Sequence, residues 1–233
     1  MSPVVEKAGK RAAAREEMMR RILEAGRAQL DRDGVESLSL REVSREIGVV
    51  SSAVYRYVAS RDDLLTLLVV DCYNDVGDAV DADDQASAGE SAKRRYIEIA
   101  ARMRRWAAAH PERWTLLYGT PVRGYAAPSE QTNEPGTRVL SRFMEIAGQA
   151  AGEPSGRGLE VDEGLERFLV TEQEQFGTSL SPGAMVVAAS LWSGTVGAIT
   201  AELFGQWGPM DAEIREPMFA AQVRALSTIL DVG

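Results

Sequence analysis

An all-α fold is predicted, with a small N-terminal three-helix domain joined to a larger helical domain. Apolar residues recur at the i, i+3, i+4 spacing of a helical face in one segment after another, and no segment alternates with the period of two that a half-buried strand needs. Two very short helical patterns, bounded by glycine and serine, crowd into residues 39–58 behind a longer one. A polar break, DADDQASAGES at 81–91, then marks a shift in composition.

Between residues 15 and 33, Met19, Ile22, Leu23, Gly26 and Leu30 define one helical face, and Gly34 is the expected C-terminal glycine. Ser39, with Glu42 three residues on, predicts a capping box. It opens a short helix that buries Leu40, Val43 and Ile47 and stops at Gly48. A second short helix begins near Ser51 and turns Val54 inward, with Val50 and Val58 at its flanks. Ser60 caps the next helix, RDDLLTLLVVDCYNDVGDAV, where Asp62 and Asp63 complement the positive dipole end. Helix is expected again over 90–109, and Pro111 occupies the first position of the helix after it. Residues 119–136, punctuated by Pro and Gly, read as a long loop. Further helices are expected over 137–151, in VDEGLERFLVTEQEQFG, through PGAMVVAASLWSGTVGAITAELFGQW, and over 211–231.

The chain has 233 residues, enough to bury a sizeable core. No run approaches the 18 or more apolar residues of a spanning helix, and the N-terminus lacks the apolar centre of a secretory signal. Cys72 is the single cysteine, which leaves no internal disulfide and fits a reducing cytoplasm. Net charge is −9, unevenly spread: residues 1–61 hold 12 Lys+Arg against 9 Asp+Glu, and the rest hold 14 against 26. An acidic body repels phosphates and a basic front end attracts them. The expected organisation is a flexible basic arm over 1–14, a small helical domain over 15–60 and a larger helical domain over 61–233. Lys7, Lys10, Arg11 and Arg15 are placed so that the arm could follow a minor groove, or form a solvated, mobile terminus with no role.

Two short helices joined by a tight turn at Gly48 form a helix-turn-helix pattern, whose second helix enters the major groove. Ser51, Ser52 and Ala53 are small enough for close approach to base edges, and Arg56 can donate bidentately to guanine O6 and N7. Tyr55 and Tyr57 place hydroxyls where phosphates or thymine methyls are met. With Arg41 and Val50 these residues make up eight of the expected DNA-binding residues.

The stretch ILEAGRAQLDRDGVESLSLREVSREIGVVSSAVYRYVASRDDLLTLLV resembles the N-terminal domain of the TetR family of bacterial transcriptional regulators. The resemblance implies that Ser39 caps the second helix and touches phosphate, that Tyr55 and Tyr57 contact the DNA backbone, and that Arg61 grips a phosphate. Tyr57 and Val58 stand where His and Phe are commoner, and Arg61 where Lys is usual. The body resembles the regulatory domain of a TetR subgroup marked by Trp, His and Gly, through Trp106, His110, Gly119, Pro121, Gly124 and Tyr125. This implies a helical domain that senses a small molecule and dimerises.

Met103, Trp106, His110, Trp114, Leu117, Tyr118, Tyr125, Phe143 and Trp192 are the candidate ligand-binding residues, being large groups from separate helices of the kind that line pockets. Core filling is the alternative for each. His110 is the single histidine, so no metal site and no catalytic constellation is expected, and no cofactor. Ala188, Ala189, Gly194, Gly197 and Ala198, with Phe219, Val223, Leu226, Ile229 and Leu230, suggest half of an isologous four-helix interface, the alternative being a fully buried central helix of a monomer. The expectation is a non-enzymatic, cytoplasmic, homodimeric repressor, released from a palindromic operator in double-stranded DNA by a small-molecule effector. A helical small-molecule binder or enzyme with an incidental helix-turn-helix is the first rival, and a DNA-binding structural or activating protein without a ligand the second.

Overall fold

The computed structural model describes residues 3–82, 89–152 and 159–231. Among them the chain forms α1 (Pro3–Asp33), α2 (Leu40–Glu46), α3 (Ser51–Tyr55), α4 (Arg61–Asp81), α5 (Ala92–Ala109), α6 (Pro111–Tyr118), α7 (Ser129–Ala151), α8 (Glu163–Phe176), α9 (Pro182–Leu203) and α10 (Ala212–Ser227), with short 3-10 turns at Val35–Ser37 and Thr228–Asp231. The described residues contain no strand, as the apolar spacing predicted. Two compact units result: Met1–Cys72 with His110–Thr132, and Tyr73–Ala109 with Asn133–Gly233.

In the first unit, one apolar core collects Ile22 and Leu30 of α1, Leu40 and Val43 of α2, Val54 of α3, Val58, and Leu64, Leu65 and Leu68 of α4. Leu116, Leu117, Val122 and Tyr125 pack onto it. Gly26 lets α1 lie close to α4, since a Cβ there would stand 3.2 Å from Leu64 Cδ1. Gly34 ends α1 with φ 74° and ψ 173°, a conformation almost confined to glycine. Residues 3–14, expected as a flexible arm, are drawn into α1. Arg11 is exposed on it, while the Lys7 and Lys10 side chains lie outside the described residues.

The second unit is built on Tyr96, Ile99, Met103, Phe143, Ile146, Leu191, Ile199, Phe219 and Val223, all buried. Tyr96 meets Phe143 edge-on with ring centroids 6.0 Å apart. Thr195 Oγ1 donates to Leu191 O at 2.8 Å, so the 3.1 Å contact between Tyr96 and Thr195 is filled by the tyrosine proton. Burial pushes the Tyr96 phenol up to about 12, the bond to Thr195 partly opposing it. Asp81, at the end of α4, accepts from Arg138 and Arg142 of α7. Burial raises its carboxyl, but the two guanidinium groups outweigh that and hold it below its ordinary range.

Two sequence expectations change here. α7 starts at Ser129, not at 137, and contains Pro135. Thr132 Oγ1 bonds Pro128 O and Thr137 Oγ1 bonds Asn133 O, and these contacts help close the turns around a residue that has no N–H to give. α9 is long and apolar enough to cross a bilayer by length and composition, and half of its most apolar stretch is buried inside the protein. Its alanines, glycines and hydroxyl residues mask that length in a simple count of large apolar side chains. Thr195, tied to Tyr96, lies within it.

Candidate nucleic-acid interface

The turn between α2 and α3 is built by backbone geometry. Gly48 adopts φ 72°, its N–H donates to Arg45 O at 3.2 Å, and Val49 N–H donates to Ser44 O at 3.0 Å. These are the two bonds of a Schellman ending, which requires a left-handed residue where glycine pays no Cβ penalty. Arg21 of α1 donates to Ile47 O at 2.5 Å, closing the same end from outside.

Ser44, buried on α2, donates its hydroxyl to Arg41 O at 2.7 Å. That proton being committed, the 2.9 Å contact with Ser51 must carry the Ser51 proton toward Ser44 Oγ. Ser51 therefore ties α3 to α2 with its donor and keeps only acceptor capacity for anything outside. Val50 is the N-cap of α3, extended at φ −68° and ψ 143°, and offers no side-chain cap. A serine there is expected to stabilise the protein by about 0.5–2 kcal/mol through capping, read as a higher denaturant midpoint.

The start of α2 departs from the sequence expectation. Ser39 is the N-cap, with φ −148°, but its hydroxyl makes no capping bond. Its N–H goes to Gln29 Oε1 at 3.1 Å, while Glu42, the expected partner, takes Arg45 at 2.9 Å. Gln29, almost fully buried, also donates to Ser37 O at 3.0 Å, so one amide from α1 occupies the place of the capping box. At the next helix Ser60 does cap: its Oγ accepts Asp63 N–H at 3.0 Å.

The outward faces of α2 and α3 carry Arg41, Val50, Ser52, Tyr55 and Arg56, all exposed, with Ser39, Ser51, Ala53 and Tyr57 half-buried beside them. Among the described residues, no hydrogen bond or ion pair engages the guanidinium of Arg41 or Arg56. α3 is helical only to Tyr55, with Arg56 as its C-cap at φ −75°. Tyr57 lies past the helix, with the Arg15 guanidinium 5.4 Å above its ring. Nine of the ten expected DNA-binding residues thus belong to one short helix-turn-helix and its flanks.

Arg61 differs. It is half-buried, and its guanidinium donates to Val35 O at 2.7 Å and Leu38 O at 3.2 Å. This clamps the 3-10 turn to the start of α4. Arg61→Ala is expected to lower stability by about 1–2 kcal/mol, measured by urea unfolding. A residue that met only phosphate would leave the midpoint unchanged. Sequence reasoning missed Arg21, Gln29 and Ser44, because their partners are backbone or side-chain groups in other elements or across the turn.

The candidate ligand residues fall in both units. His110, Trp114, Leu117, Tyr118 and Tyr125 belong to the first unit, and Met103, Trp106, Phe143 and Trp192 to the second. His110 is the N-cap of α6, at φ −134° and ψ 60°, with no side-chain capping bond. Trp114 is fully buried, with Tyr118 4.4 Å away ring to ring. Tyr125 hydroxyl meets Thr66 Oγ1 at 3.0 Å. In the second unit Met103 and Phe143 are fully buried, and Trp106 Nε1 donates to Asp75 at 3.1 Å. Cavities of about 330 and 260 Å³ open in this unit, one around Trp207, Met210 and Arg215 and the other around Met144, Phe176 and Leu180, and none of the nine candidates lines either. No cluster of metal-ligating side chains occurs among the described residues.

Residues 22–68 match the family model described as bacterial regulatory proteins, tetR family. Residues 96–226 match the tetracyclin repressor-like C-terminal domain. The chain is 41% identical over 226 residues to HTH-type transcriptional regulators of Mycobacterium tuberculosis and Mycobacterium bovis, covering 95% of this chain and 96% of each of theirs. Among solved structures, a chain described as regulatory protein SCO4313 is 28% identical, with a TM-score of 0.72 over 92% of this chain and 97% of that one. A TetR-family regulator from Shewanella sp. PV-4 shares the fold at 18% identity, with a TM-score of 0.55 over 88% of this chain and 96% of that one.

Proposed function

The chain belongs to the TetR family of transcriptional regulators, and from that premise we propose that it is a homodimeric, one-component repressor acting in the cytoplasm. The observation that carries this reading is the outward face of α2 and α3, where Arg41 and Arg56 stand exposed with their guanidinium groups uncommitted among the described residues. The inward face of the same helices supplies Leu40, Val43 and Val54 to the core. Such a face gains little for the isolated chain and much against a polyanion.

In this reading two recognition helices, related by the dimer axis, meet successive major-groove half-sites of a palindromic operator. Pairing through α9 and α10 is supported by an apolar stripe open to solvent: Ala189 and Gly197 on α9, Phe204 at its C-cap, and Ile214, Met218 and Ala225 on α10. A Cβ on Gly197 would meet nothing within 4 Å, leaving room for a second backbone. Ala188, Ala198, Phe219 and Val223, expected at that interface, instead fill the chain's own core, and Gly194 faces Leu226. A small effector held by the C-terminal domain releases DNA if it binds one conformation more tightly than the other.

Selection of duplexes from a random pool at low salt tests this reading. Two inverted copies of one half-site are expected to be enriched, with affinity falling steeply as salt rises. A metabolite screen for release then follows. A protein that enriches no duplex at low salt is not a DNA-binding repressor.

A further inference from the structure

We propose that Val50 is a specificity-determining residue that reads the C5-methyl group of a thymine in the major groove. The proposal deepens the regulator reading and rests on it. Val50 is the most exposed of the large apolar side chains among the described residues, at 72%. Helical periodicity would place it one turn below Val54, which is fully buried. The extended N-cap backbone removes it from that face and turns it outward. It stands where a capping side chain is favoured and gives none. Local stability therefore does not account for a valine here, whereas contact with an apolar partner does.

Its neighbours are Ser52, Tyr55 and Arg56, exposed on the same short helix-turn-helix. In the major groove the thymine methyl is the one apolar group that base edges offer. A valine facing cytosine in its place would strip water from an amino donor and return no hydrogen bond. Valine thus favours thymine both by attraction and by rejecting the polar alternative.

The test removes the methyl without touching base pairing. In the duplex that the protein selects, each thymine of one half-site is replaced in turn by uracil, and affinity is measured for the unaltered protein, Val50→Ala and Val50→Ser. At one position uracil should weaken the unaltered protein roughly three- to five-fold, the value of one buried methyl group. At that same position it should leave Val50→Ala unaffected. Val50→Ser should unfold at a higher temperature than the unaltered protein yet bind the thymine duplex more weakly, a pairing that a purely structural role would not produce. Independent, multiplicative losses from the Val50 and uracil changes would overturn the proposal, as would a selected half-site with no uracil-sensitive thymine. Failure to select any duplex would overturn the regulator reading itself, which separates the two outcomes.

Discussion

Replacing Trp114 with alanine is expected to lower the stability of the protein by about 3–5 kcal/mol, the range for a large aromatic removed from a closed core. The indole is fully buried and its ring lies 4.4 Å from that of Tyr118. It anchors α6 in the first unit, where α6 packs on α1. Arg113, its neighbour, pairs with Asp31 of α1 at 2.6 Å. That bidentate pair, with the arginine largely buried and the aspartate about one-third exposed, adds to the packing that holds α6. Urea unfolding followed by far-UV circular dichroism measures the loss, and a change below about 1 kcal/mol would show that the site collapses without a cavity. DNA binding should fail at temperatures where the unaltered protein still binds, because the same unit holds α2 and α3. A ligand-contacting tryptophan would instead change effector response and leave unfolding nearly as it was.

Arg56→Ala should cost about 1–3 kcal/mol in operator affinity, with the loss confined to one guanine of the half-site. Its guanidinium is exposed at the end of α3 and uncommitted among the described residues, so unfolding should shift by no more than about 0.5 kcal/mol. Affinities across single-base operator variants decide the role. A base reader flattens the preference at one position, while a phosphate contact weakens all sequences alike and lowers the salt slope by about one. An unchanged profile would remove Arg56 from both roles. The contrast with Arg61 is instructive: both arginines lie near the same surface, yet Arg61 spends its donors on Val35 and Leu38 carbonyls.

Much of this was legible in the chain. Gly34 and Gly48 were predicted as helix endings and both adopt positive φ, because a left-handed ending is a local backbone demand that names its own residue. Ser60 was predicted as a cap and caps. The capping box at Ser39 failed because Gln29, ten residues away, reaches the same N–H. The Pro and Gly around Pro135 predict a loop, yet hydroxyl bonds from Thr132 and Thr137, on either side of it, accompany a continuous helix. The small size of Ser51 suits approach to base edges, and its hydroxyl proton goes to Ser44, a contact that no local pattern signals.

The sequence by itself determined the all-helical class, the two short helices with the glycine between them, and the family, since periodicity, turn residues and motif spacing act over a few neighbouring residues. Tertiary structure alone decided which polar side chains remain available. It turned Arg61, Ser51 and Gln29 toward partners inside the fold, left Arg41 and Arg56 outside, and divided the large aromatic residues of 103–125 between two compact units. A donor serves either the protein or its ligand according to which acceptor lies within about 3 Å, and that distance exists only once the chain has folded.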